Sequence, residues 1–216
     1  MSGINRSRQS DLFRPEQALS GVTVIGLGGI GSPTAMILAK MGVELTIIDF
    51  DTVEEHNLAS QHYRREDVGL NKVDALSAEL ERHAGVRPQT RNERYVDQPL
   101  SGLVIAAVDS MDVRKQIWEQ VRMNPAVDLF IDTRMGGMVG LLLTARPCNI
   151  DDVSWYEKQL YPSSEASREA CTSRAIAFNT FGIAAMVAAT VRRWWVEGER
   201  HPILRMDWGC LNFLSV

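Results

Sequence analysis

Residues 24–32 read VIGLGGIGS, an apolar run that breaks into Gly26-x-Gly28-x-x-Gly31. This spacing leaves the backbone few choices. Gly26 permits a tight turn at the end of a strand, Gly28 lets the main chain approach a phosphate, and Gly31 lets the following helix pack closely on the strand. The first turn of that helix, with Gly29 beside it, offers unpaired N–H groups to an anion. A second apolar run, ELTIIDF at 44–50, places Asp49 about twenty residues on, where a carboxylate accepts hydrogen bonds from ribose hydroxyls. Turn and acid together predict an adenine nucleotide, and leave open whether it is NAD or ATP.

Strand-like and helix-like runs alternate from residue 21 to about residue 147. GVTVIG (21–26) reads as a strand and 29–41 as the helix after it, closed by Gly42. Asn71 stands where it can cap a helix that ends at Gly85. QTRNERYV (89–96), LVIAAVD (103–109), LFIDTRM (129–135) and MVGLLLTARP (138–147) read as strands, with MDVRKQIWEQV (111–121) as a helix. The pattern predicts an α/β fold in a single domain, residues 1–216: a Rossmann-like, mostly parallel sheet with helices on both faces. Further strands and a long apolar helix at 173–196 extend it at the C-terminus. Residues 5–20 form an N-terminal arm. Periodicity fails over 148–172, which reads as a crossover loop with room for one short helix, and Trp155 and Tyr156 there either pack the loop or line a channel.

The chain has 216 residues and a net charge of -4, so it carries no general attraction to nucleic acid or anionic membrane. The apolar stretch 175–191 is interrupted by Asn179, Thr180 and Gly182, which argues against a membrane span. The polar N-terminus lacks the apolar core of a signal peptide. Cys148, Cys171 and Cys210 are odd in number and none is in Cys-x-x-Cys spacing, so neither a disulfide framework nor a zinc site is expected, and the reading is cytoplasmic.

The segment DFDTVEEHNLASQHYRREDVGLNKVDAL decides what the nucleotide is for. It carries Asp51, Asn57, Gln61 and Lys72, where a dehydrogenase needs only a path to its third strand. A lysine at the head of a helix near the nucleotide suits a triphosphate, because charge develops on the phosphates when one is attacked. Asp109 ends the strand LVIAAVD, at the sheet edge where open parallel sheets bind ligands. It is either a magnesium ligand or the N-cap of the helix that follows.

GLGGIGS, IIDFDTVEEHNL, Gln61, GLNKV and VDSMDVR together resemble the MoeB/ThiF family, the activating enzymes of ubiquitin-like and sulfur-carrier proteins, from about residue 5 to residue 195. The resemblance implies an ATP-dependent adenylyltransferase, usually a homodimer. In it Asp49 binds ribose, Asn57 lies along the triphosphate, Lys72 bridges the phosphates and the attacking carboxylate, and Asp109 holds Mg²⁺. NRSRQ at 5–9 resembles the family's Arg-x-x-Arg-Gln arm, in which an arginine reaches the partner subunit's ATP; Arg8 matches the second arginine, and Asn5 replaces the first. Where the family has Asn-Leu-x-Arg-Gln, this chain has Ser60 for the arginine, and Arg64 or Arg65 is the nearest substitute in sequence. Cys171 falls where relatives place a cysteine that accepts the activated carrier, and reads either as that nucleophile or as a non-reacting loop cysteine.

The expected partner is a small ubiquitin-like or sulfur-carrier protein with a C-terminal glycine tail, activated as an acyl-adenylate with or without transfer to Cys171. Two other readings stay open: a non-catalytic partner subunit of an activating enzyme, and adenylation of a modified tRNA carboxylate.

Overall fold

The computed structural model describes residues 4–162 and 175–215. Eight strands form one sheet: β1 Val22–Ile25, β2 Leu45–Asp49, β3 Gln89–Asn92, β4 Gly102–Ala106, β5 Val127–Gly136, β6 Val139–Ala145, β7 Ile203–Asp207 and β8 Asn212–Ser215, in the order β3-β2-β1-β4-β5-β6-β7-β8. The first five run parallel, and β6, β7 and β8 are added antiparallel. Five helices are described: α1 Gly31–Met41, α2 Lys72–Ala84, α3 Met111–Val121, α4 Ile150–Glu157 and α5 Ala177–Glu197.

Strand alternation sorts the core into two layers. Val22, Val24, Leu103, Ile105, Leu129 and Ile131 face α1, α2 and α5. Ile25, Val104, Ala106 and Phe130 face α3 and α4, where Trp118, Phe130 and Tyr156 pack with ring centroids 4.4–5.4 Å apart. Both faces of the central strands β1 and β4 are covered, which is why they read as nearly continuous apolar runs; the edge strand β3 is polar and mostly exposed.

β1 pairs with β2 on one side and β4 on the other, so the helices after β1 and β4 leave to opposite faces and a crevice opens between the carboxyl ends of these strands. The glycines make this crossing possible. Gly26 has φ +89, and a Cβ there would lie 2.7 Å from the Ala107 carbonyl oxygen; a Cβ on Gly31 would lie 1.8 Å from that of Gly26. Gly42 and Gly85 end α1 and α2 in the left-handed conformation, as their sequence positions predict.

Several expectations need correction. Helix α1 begins at Gly31, two residues later than the sequence suggests, because Gly29 and Ile30 are spent on the turn. Strand β3 stops at Asn92, since as an edge strand it has one partner only. Asn71 occupies the N-cap position of α2, but its side chain donates to Asp74 rather than accepting a backbone N–H. The crossover does hold one short helix, α4, whose cap is the Asn149 side chain accepting from Asp152 N–H at 3.0 Å. Its Tyr156 is buried packing, not channel lining. The further strands expected at the C-terminus are β7 and β8.

The long apolar helix is also corrected. Helix α5 starts at Ala177, and it is not apolar throughout: it buries Asn179, Thr180 and Thr190 and ends in Arg192, Arg193 and Glu197. Among the described residues, no helix is long and apolar enough to cross a membrane.

Gly31→Ala is predicted to destabilise the protein by about 3 kcal/mol, because backbone cannot move aside as a side chain can. Gly28→Ala, with nothing within 4 Å of the added carbon, should leave the thermal midpoint nearly unchanged. Thermal denaturation of the two variants checks the contrast.

Candidate functional site

A cleft of about 980 Å³ opens at the switch point between β1 and β4. Gly26, Gly28, Gly29, Asp49, Asp51, Asn57, Gln61, Lys72 and Asp109 all line it. Gly31 lies beneath it as a packing residue.

The glycine turn is held from three directions. The Leu27 N–H donates to the Asp49 carboxylate at 2.5 Å, the Tyr63 hydroxyl donates to the Leu27 carbonyl at 2.8 Å, and the Ser32 hydroxyl donates to the Gly28 carbonyl at 2.8 Å. Burial pushes the Tyr63 phenol well above its ordinary pKa, with Asp49 and Asp67 adding to the effect, so it remains a donor. Asp49 is 7% exposed. Burial raises its pKa, while Lys72 and the N–H groups of Asp51 and Leu27 pull it back down. Two backbone donors take one lone pair from each of its oxygens, which leaves acceptor capacity for hydroxyl groups.

The segment 51–71 is a polar loop closed at its base. Thr52 bridges Asn71, and the Lys72 N–H donates to the Asp51 carbonyl at 3.0 Å. This closure brings Lys72 back to Asp51, whose carboxylate accepts from Nζ at 3.0 Å. Lys72 is only 6% exposed, and it lines the same cleft as Gly28, where an added Cβ would meet nothing within 4 Å. Asn57 turns its amide oxygen back onto the Glu54 N–H at 2.9 Å, which caps the short turn 55–57. Gln61 Oε1 is buried without a partner among the described residues.

Asp109 is exposed three residues past β4, which ends at Ala106 and not at Asp109 as the apolar run suggests, and it is free of the capping role. That role belongs to Ser110, whose hydroxyl accepts from the Val113 N–H at 3.4 Å. Among the described residues, no group of three or more His, Cys, Asp or Glu side chains could hold a metal by itself. Asp109 nonetheless suits Mg²⁺ that arrives with phosphates, since such an ion takes one or two carboxylates plus phosphate oxygens.

Arg8 is exposed and outside this cleft. Its neighbour Arg6 explains why: that guanidinium donates to the Lys40, Ala39 and Ala84 carbonyls and so caps the C-terminal ends of α1 and α2 together. The cleft is at the opposite ends of these helices, about 16 Å away along α1. Ser60 is buried, and its carbonyl accepts from the Thr180 hydroxyl at 2.9 Å. Neither Arg64 nor Arg65 lines the cleft in its place; Arg64 pairs with Glu66, Asp67 and Glu79. Cys171 lies outside the described residues.

Sequence reasoning missed the arginines that do line the cleft. Arg94 lies 3.9 Å over the Phe50 ring at the Asp49 end. At the other end, Arg114 and Arg134 converge on Asp132, which is fully buried and also accepts from the Tyr156 hydroxyl at 2.8 Å. Burial works against the Arg134 charge, but Asp132 outweighs it and raises its pKa. Its Nη1 donates to the Gln159 carbonyl, and its guanidinium lies 5.6 Å over Tyr161, which tethers the crossover where it enters the cleft. An Asp in the middle of a strand otherwise buried on both faces was the available signal.

Ionising buried Asp49 costs stability as pH rises from its ordinary pKa of 3.8 through the raised folded value. Asp49→Asn removes that cost. The stability of the variant relative to wild type is therefore expected to increase between about pH 4 and pH 7, as read by chemical denaturation across the range.

The ThiF family pattern matches residues 16–202. Over 118 residues the chain is 35% identical to molybdopterin-synthase adenylyltransferase of Salmonella typhimurium, covering 49% of this chain and 47% of that one. Over 75 residues it is 35% identical to ubiquitin-like modifier-activating enzyme 5 of Oryza sativa subsp. japonica, covering 34% and 17%. Solved structures of PaaA (TM-score 0.75, 20% identity) and of E. coli MccB with AMPCPP and MccA (0.72, 19%) share the fold over 94% of this chain and 65% of theirs. The chain thus spans less than two thirds of each of these relatives. With the family pattern running from the N-terminal arm through α5, the protein belongs to the ThiF family.

Proposed function

We propose that the protein is an ATP-dependent adenylyltransferase that activates the C-terminal carboxylate of a small ubiquitin-like or sulfur-carrier protein as an acyl-adenylate. The observation that carries this reading is the buried Lys72, held by Asp51 in a cleft that it lines together with an unobstructed Gly28 and an exposed Asp109. A redox dinucleotide site has no use for that cation. The relative named as an adenylyltransferase and the neighbour solved with AMPCPP support ATP as the nucleotide.

In the reaction proposed, a carboxylate oxygen attacks the α-phosphorus, the bond to the β-phosphate bridging oxygen breaks, and pyrophosphate leaves. Asp49 fixes the ribose, and the N–H groups of the glycine turn receive phosphate oxygens. Lys72 exchanges Asp51 for the phosphates and the incoming carboxylate, with both charges drawn out of water, where such contacts are strongest. Asp109 would hold Mg²⁺, which when bound neutralises charge on the triphosphate. Asn57 and Gln61 lie along the phosphate path. Onward transfer to Cys171, in which the thiolate attacks the acyl carbon, the acyl–phosphate bond breaks and AMP leaves, belongs to the same proposal.

Arg8 can serve this reaction only in the cleft of a second copy, because Arg6 fastens the arm to the far ends of α1 and α2 in its own chain. Lys72→Ala and Asp109→Ala are each expected to lower carrier-dependent ATP–pyrophosphate exchange by about a hundredfold or more. Near wild-type exchange in either would overturn its role. Mixing inactive Arg8→Ala with inactive Lys72→Ala protein should restore a fraction of the activity if Arg8 acts across a homodimer, and none if each chain works alone.

One observation favours a second reading. With Ser60 buried where relatives have an arginine, and Arg64 committed to Glu79, the phosphates lose one cation. A non-catalytic partner subunit would tolerate that loss. Such a protein would bind MgATP or a carrier and show no exchange with carriers whose glycine tails are intact.

A further inference from the structure

Beyond Ala107, whose N–H still bonds the Ile25 carbonyl, the chain leaves the sheet on its way to Asp109. The Val108 carbonyl is gripped there by Arg114, whose Nη2 donates to it at 2.6 Å. That carbonyl and the Asp109 N–H belong to one peptide plane, so the bond fixes the plane from which the Asp109 side chain departs. Arg114 is 3% exposed and cannot wander. Its Nη1 donates to the Asp132 carboxylate and, at 3.1 Å, to the Thr133 carbonyl. Asp132 is in turn fixed by Arg134 and by Tyr156.

We infer that Arg114 is a positioning residue for Asp109, with the buried Asp132 carboxylate as its anchor. The inference rests on the adenylation reading of the cleft. Arg114 sets where the Asp109 carboxylate stands, and with it how well the cleft accepts a nucleotide carrying Mg²⁺. A lysine in its place keeps the charge against Asp132 but, with one nitrogen, cannot also span to the Val108 and Thr133 carbonyls.

The test is calorimetric ATP binding to the whole chain across a Mg²⁺ titration, which reads the site without turnover. Outer contacts of this kind shift metal affinity by about tenfold or more. Arg114→Lys is expected to raise the Mg²⁺ midpoint about tenfold and to regain near wild-type ATP affinity at saturating Mg²⁺, while Asp109→Asn flattens the dependence. An unchanged midpoint in a folded Arg114→Lys overturns the inference. So does a loss of affinity that no Mg²⁺ concentration restores, which marks a purely structural residue. Should that variant fail to fold, Tyr156→Phe removes one donor from Asp132 without altering a residue of the cleft; a rise of about threefold supports the inference and no change overturns it. Wild-type protein that binds no ATP at any Mg²⁺ concentration defeats the reading of the cleft itself, and the inference with it.

Discussion

The fold turns on a close approach of two pieces of backbone. Gly31 in the first turn of α1 passes so near the Gly26 carbonyl that no side-chain carbon fits between them, and Gly26 itself lies against the Ala107 carbonyl at the end of β4. This contact joins the end of β1, the start of α1 and the end of β4. The crevice therefore opens where the helix N-terminus points, and the same geometry that packs the core leaves a row of backbone donors facing outward. Asp49 holds the turn by one of those donors and Tyr63 holds it by a carbonyl. Core and site cannot be altered independently here.

The polar groups around the cleft differ in how they are held. Asp49, Lys72 and Asp132 are buried beside charged or backbone partners, which for Asp49 offset the cost of leaving water only in part. Asp109 is exposed, and its position depends instead on the buried Arg114 beneath it. Rigid groups under exposed ones are what a site needs when it must meet a solvated, charged ligand and still present fixed geometry. The arm that carries Arg8 is held in another way again, fastened by Arg6 to the ends of α1 and α2 farthest from the cleft.

Much of this was legible in the chain. The glycine spacing, the acid at the end of β2 and the lysine after a polar loop each carry a local chemical reason, and the cleft gathers those residues together. Strand β3 and the bounds of α1 were less legible, since an edge position and a turn that consumes two extra residues leave no distinct pattern. Helix α5 misled because its many apolar residues hide how much of its buried face is polar. In the structure Thr180 bonds the Ser60 carbonyl, and Asn179 joins the Gly137 carbonyl to the Trp208 ring nitrogen.

What the sequence by itself determined was the local grammar: a glycine turn can approach a phosphate only with those residues absent of Cβ, alternating apolar runs must be covered on both faces, and family membership follows from motifs read in order. What only the tertiary structure decided were partnerships across long separations. Arg64 turns to Glu79 and away from the cleft; Asp132, besides Arg134 in its own strand, is met by Arg114 from α3 and by Tyr156 from α4. The reason is physical. A turn or a cap is settled by neighbours a few residues apart, whereas the partner of a buried charge is settled by which elements the whole sheet brings within 3 Å of it.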